Sequence, residues 1–120
     1  MVYCAANPAT ALLEVLVHAE IEVGDLPLSY RFLEIEVPDG VPRETVEIQR
    51  LPIDWVSKLQ ETRRVGDEWI VSIRTAILFV PCAIVPGTLN MLVNPLHPDS
   101  ASIIVTRVHR HLLDSRLFRA

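Results

Sequence analysis

The feature that most constrains this chain is an apolar stretch over residues 76–86. Ala76, Ile77, Leu78, Phe79 and Val80 follow one another without a polar residue and end at Pro81. A strand with one wet face alternates apolar and polar residues, so a run apolar at every position predicts a central strand covered on both faces. Pro81 removes a backbone donor where that strand must stop. The stretch is well short of the roughly 20 residues a membrane helix needs, and Pro81 and Pro86 lie inside it. It reads as the core of a globular domain.

A chain of 120 residues can bury one modest core, and half of its residues are hydrophobic, so residues 1–120 are expected to form a single domain. Fifteen acidic residues against eleven basic ones leave a net charge of -4. That balance lacks the basic face needed to neutralise a phosphate backbone, which argues against direct nucleic-acid binding. No basic region followed by an apolar segment opens the chain, so a secretory leader is not expected and a cytoplasmic location is. Cys4 and Cys82 show neither CxxC spacing nor clustering with histidine, and a reducing compartment keeps them as thiols. No membrane anchor and no metal site are expected.

Nine prolines divide the rest into short elements of both kinds. Residues 2–5 read as a strand. Asn7-Pro8 then supplies an N-cap followed by proline at the first helical position. From residue 9 to about 19, Leu12, Val15, Leu16 and Ala19 share one stripe expected to be buried, which sets Ala11, Glu14 and His18 on the neighbouring face at the border of the core. Gly24 and Pro27 end that region. Over residues 30–37, Leu33, Ile35 and Val37 alternate with Glu34 and Glu36, the period of a half-buried strand. Residues 54–59 are compatible with one or two helical turns around Trp55. Residues 66–74 carry Trp69, Ile70 and Ile73 at helical spacing, with Asp67 and Glu68 in the first turn and Arg74 in the last. A second apolar patch at 89–93 and a strand at 103–108 complete an α+β reading: a mixed sheet with few short helices.

The order of local patterns resembles the RES-domain family, toxins of RES/Xre-type toxin–antitoxin systems. The residues that carry the likeness begin with Tyr3-Cys4-Ala5, the helix Ala11-Leu12-Leu13-Glu14-Val15-Leu16-Val17-His18, and Leu51-Pro52 with Trp55. They continue with Gly66-Asp67-x-Trp69, Val80-Pro81-Cys82-Ala83-Ile84-Val85-Pro86, Asn90, Asn94-Pro95, His97-Pro98-Asp99 and Asp114-x-Arg116-Leu117-Phe118. The resemblance implies an ADP-ribosyltransferase-like fold and cleavage of the nicotinamide–ribose bond of NAD by phosphorolysis or ADP-ribosyl transfer. It also implies a partner antitoxin of the Xre/MbcA/ParS type, with NAD as substrate, phosphate as a possible second substrate and no metal. By the same resemblance, the family's catalytic arginine and a Gly-Gly-Arg-Trp-Asn segment would lie upstream of Met1. Cys82 stands where the family's Val-Pro-Ser motif has its serine, replacing a strong hydroxyl donor with a weak thiol.

Glu14 is the expected catalytic carboxylate, because cleavage at the anomeric carbon develops an oxocarbenium-like ribose that a carboxylate stabilises. Residue type alone would make it a solvated helix-face glutamate. Tyr3 is the second catalytic candidate, through stacking on the cationic nicotinamide or donation to a phosphate, against an ordinary role in strand packing. Cys82 and Asn90 are the expected nucleotide contacts. Cys82 follows the central strand and equally suits a buried thiol, while Asn90 equally suits a turn bonded to its own backbone. His18 fits an i,i+4 contact with Glu14 on the helix surface. His97, His109 and His111 form no metal constellation. Arg31, Arg63 and Arg74 match no phosphate-binding position of the family. The expectation is therefore an NAD-degrading toxin, the alternative a catalytically inactive module that binds the antitoxin. A homo-oligomer is compatible with either.

Overall fold

In a computed structural model, residues 1–18 and 29–118 are described. The central apolar run forms β4 (Ile77–Pro81), inside a four-stranded sheet with β1 (Val2–Ala5), β3 (Arg43–Thr45) and β5 (Leu89–Val93). The strand order is β1-β5-β4-β3, with β3 parallel to β4 and the other neighbours antiparallel. Flanked on both sides and covered on both faces, Ile77 and Leu78 are almost fully buried, as the uninterrupted apolar run predicts. β3 was not legible in the sequence, since three residues of Arg-Glu-Thr carry no apolar period.

The faces of the sheet build two cores. On one, Leu78 and Leu92 pack beneath Trp69, flanked by Val46, Ile70 and Val80. Trp69 comes from α2 (Leu59–Ser72). On the other, Val41, Ala76, Ile77 and Val93 are joined by Cys4, Phe79, Met91, Val37 and Ile103. Trp69 is 1% exposed, and its indole N–H donates to Thr75 Oγ1 at 2.9 Å, so its one polar atom is satisfied where it is buried.

α2 begins seven residues before the expected start at 66 and stops before Arg74. Gly66 sits inside it rather than opening it. A side chain there would approach the Met1 methyl at 3.7 Å, so this buried glycine lies where the N-terminal residue meets the helix. Asn94 ties the helix to the sheet. Its Nδ2 donates to the Ile70 carbonyl at 3.1 Å, and its Oδ1 accepts from the Leu96 backbone at 3.0 Å.

The Asn7 cap forms as expected. Thr10 N donates to Asn7 Oδ1 at 2.9 Å, and α1 (Pro8–His18) follows. The buried stripe differs from the expected one. Val15 is 58% exposed, while Thr10 is buried and Glu14 half-buried. The helix faces the protein through its Thr10–Glu14 edge, so the apolar stripe is not what decides its orientation. Ala19, Gly24 and Pro27 lie outside the described residues.

β2 (Ser29–Glu36) and β6 (Ile104–Leu112) pair antiparallel as a separate ribbon, with a bulge where Glu34 opposes Arg107 and Ile35 opposes Val105. Ile35 is half-buried, but Leu33, expected on the same buried face, is 61% exposed. Val37 and Ile103, at one end of the ribbon, join the main core, whereas Leu33 sits mid-ribbon opposite the exposed Val108. Among the described residues no helix is long and apolar enough to cross a membrane.

Candidate functional site

β1 and β5 are neighbours, and α1 follows β1 after a two-residue link, so the topology draws Tyr3, Glu14 and Asn90 towards one end of the sheet. Ala5 is the register partner of Asn90, and Tyr3 of Leu92. Successive residues of a strand point to opposite faces, so Tyr3 and Asn90 share the face that also carries Leu92 and α2. The β4–β5 connection adds the fourth member. Cys82 follows β4 directly, with its backbone N–H held by the Thr88 carbonyl at 2.8 Å. Gly87 closes the turn at a φ of 81°, in the left-handed region.

All four residues singled out in the sequence meet. Asn90 Nδ2 donates to Glu14 Oε1 at 2.8 Å. The Cys82 thiol donates to the same oxygen at 3.3 Å, and Asn90 Nδ2 also reaches the Tyr3 hydroxyl at 3.4 Å. Asn90 is fully buried and Cys82 nearly so. Both bond the Glu14 carboxylate from behind and do not line the adjoining cavity, whereas Tyr3 and Glu14 do. Asn90 Oδ1 is buried and accepts no hydrogen bond among the described residues.

Burial pushes the Tyr3 phenol above its ordinary value. The Asn90 hydrogen bond opposes this, and the nearby Glu14 and Cys82 add to it. Tyr3 therefore stays a neutral donor across the physiological range, although more than half of its surface is open. Cys4, packed into the opposite core, has its thiol pushed up by burial alone, which makes it an inert filler.

The cavity measures about 500 Å³ and runs from Tyr3 and Glu14 between the sheet and α2. Leu51, Trp55 and Leu59 give it apolar lining, and Thr62, Arg63 and Asp67 of α2 also border it. Its volume falls in the range of sites for small organic ligands. Arg63 matches no phosphate-binding position of the family, and the sequence marks Trp55 as a motif residue and the centre of a helical turn, which forms over Trp55–Ser57, without a place in the site. The other candidates are occupied elsewhere. Arg74 pairs with Glu44 at 3.3 Å, Arg31 lies on the ribbon, His109 meets Glu34 at 3.1 Å, and His97 caps a turn by accepting from Asp99 N.

Comparison with known proteins adds a family to this geometry. Residues 1–114 match the model of the RES domain. The chain belongs to the RES domain family. It is 40% identical over 123 residues to a protein of Sphingobium sp. named Prs ADP-ribosylating toxin, an alignment covering 99% of this chain and 75% of the relative. A protein of Pseudomonas putida named Toxin Res is 40% identical over 118 residues, covering 98% of this chain and 79% of the relative. Another Toxin Res, from Photorhabdus laumondii, is 36% identical over 124 residues, covering 99% and 76%. The expected resemblance and the α+β architecture with a mixed sheet both hold.

Proposed function

We propose that this RES-domain chain is a toxin that consumes NAD by breaking its nicotinamide–ribose bond, with Glu14 as the catalytic carboxylate. The observation that carries this reading is the double hold on Glu14 Oε1 by Asn90 at 2.8 Å and Cys82 at 3.3 Å, at the edge of a cavity of about 500 Å³. A carboxylate fixed by two donors needs little reorganisation when charge develops beside it. The names of the relatives from Sphingobium and Pseudomonas, an ADP-ribosylating toxin and Toxin Res, support the same reading.

In the proposed reaction the bond between ribose C1′ and the nicotinamide nitrogen breaks, and its electron pair goes to the nicotinamide, which leaves neutral. The positive charge passes to the ribose ring as an oxocarbenium-like species, which Glu14 stabilises. An oxygen of phosphate or of a protein acceptor then bonds to C1′. Tyr3, kept neutral, presents its ring to the nicotinamide cation and its hydroxyl to the substrate. Asn90 and Cys82 act through Glu14 as positioning residues, since both are buried and neither lines the cavity.

The natural partner in this reading is an antitoxin of the Xre/MbcA/ParS type, as the family resemblance implies. Incubating the purified chain with NAD, with and without phosphate, tests the reaction. Nicotinamide release is expected, with a phosphorylated ADP-ribose product appearing only when phosphate is the acceptor. Intact NAD under both conditions counts against the reading. Co-purification of an antitoxin with a protein that leaves NAD intact favours the inactive binding module, for which the weak thiol of Cys82 is the motivating residue.

A further inference from the structure

NAD is anionic in its middle, and the carboxylates of Glu14 and Asp67 both border the cavity. Two like charges repel a diphosphate, so a cation has to meet it. Among the described lining residues Arg63 carries the only basic side chain. It lies on α2, across the cavity from the sheet that bears Tyr3. Its neighbour Arg64 is pinned to Glu61 at 3.0 Å and lies outside this cavity. Arg63 is ion-paired with none of the described carboxylates, and Asp67, one helical turn on, is beyond ion-pair distance of it. An exposed guanidinium on a cavity wall, unclaimed by a carboxylate, is equipped to grip phosphate oxygens with two parallel N–H bonds.

We propose that Arg63 is the diphosphate anchor of this site, placing the nucleotide with its nicotinamide ribose at Glu14 and its adenosine towards the apolar part beside Trp55. This rests on the proposed NAD reading and supplies the phosphate contact that sequence matching did not find. The half-buried Trp55 and its neighbours Leu51 and Leu59 offer a flat aromatic ring an apolar bed. The polar and charged lining groups, Glu14, Thr62 and Arg63 among them, suit ribose and diphosphate. With this orientation the anionic centre of the substrate meets the one basic side chain among the described lining residues, and the glycosidic bond meets the carboxylate that is held from behind.

The test is calorimetric binding of ADP-ribose and of phosphate-free nicotinamide riboside to the full chain, as wild type, Arg63→Ala, Arg63→Lys and Arg64→Ala. ADP-ribose affinity is expected to fall at least about tenfold in Arg63→Ala, to recover in part in Arg63→Lys, and to stay unchanged in Arg64→Ala. Nicotinamide riboside, which has no phosphate, should be indifferent to all three. Equal ADP-ribose affinity in wild type and Arg63→Ala overturns the anchor while leaving the NAD reading standing. An equal loss for the riboside shows that Arg63 only shapes the wall and also overturns it. If the wild type neither binds ADP-ribose nor consumes NAD, both readings fall together.

Discussion

Asn90 Nδ2 donates to Glu14 Oε1 at 2.8 Å across 76 positions of sequence. The donor, itself fully buried, stands on β5, the strand neighbour of β1, and the acceptor on the helix that follows β1. The bond therefore locks α1 against the sheet and fixes the carboxylate in one act.

Removing that donor should be felt in stability and activity together. Asn90→Ala takes the 2.8 Å bond from Glu14, and a lost buried hydrogen bond to a charged group costs about 1–3 kcal/mol. A lowered melting temperature is expected, with NAD consumption lost even at temperatures where the variant is folded. Circular dichroism melts beside nicotinamide release check both. A variant that melts lower yet keeps full activity would remove Asn90 from the account.

Cys82 gives a prediction of opposite sign. Its thiol is a weak donor at 3.3 Å from Glu14, and a hydroxyl at that place makes a shorter, stronger bond to an ionised carboxylate. Cys82→Ser is expected to raise kcat by roughly twofold to tenfold and Cys82→Ala to lower it. Steady-state kinetics on the matched pair decide the matter, and a serine variant no better than alanine contradicts it.

The pH dependence follows from Tyr3, whose phenol is pushed above its ordinary 10.0 mainly by burial. A folded pKa raised above the unfolded one gives a stability contribution that is fully present below pH 10 and is lost as pH climbs through the folded value. Titrating the two tyrosines by ultraviolet absorbance should show one ionising above the ordinary range. Tyr3→Phe should abolish that upper transition and lower NAD turnover without changing activity's response to pH below it. Ordinary titration of both tyrosines contradicts the burial of this hydroxyl.

A purely structural prediction concerns Ile73, which caps α2 at a φ of 53°. A β-branched residue in the left-handed region is strained, and glycine is the usual occupant of that cap. Ile73 is 44% exposed, so little burial is lost on replacement. Ile73→Gly is expected to gain about 1 kcal/mol, read as a melting temperature raised by a few degrees with unchanged activity.

Much of the fold was legible because local signals agreed with tertiary demand. The run before Pro81 became a buried central strand, Asn7-Pro8 opened a helix, and the patch at 89–93 became β5. Expectation and structure part where tertiary context decides. The apolar stripe of α1 is partly solvated at Val15, and Leu33 is solvated in the middle of a ribbon that joins the main core through Val37 and Ile103 at its end. β3 is held by its parallel partner and carries no pattern of its own. At the site, Tyr3, Glu14, Cys82 and Asn90 were found through the order of motifs. Their convergence on Glu14 Oε1 was not readable, since hydrogen bonds between residues 68 and 76 positions apart leave no local trace. Arg63 was missed for the same reason, because only the packing of α2 against the sheet turns a helix-surface arginine into a cavity wall.

The most direct measurement is nicotinamide release from NAD by the wild type and by Glu14→Gln, an isosteric change that removes the charge. The wild type is expected to release nicotinamide. The glutamine variant is expected to be slower by at least about a hundredfold while folding to a comparable melting temperature. Equal rates in the two proteins, or no release by the wild type, would contradict the assignment of Glu14 as the catalytic carboxylate.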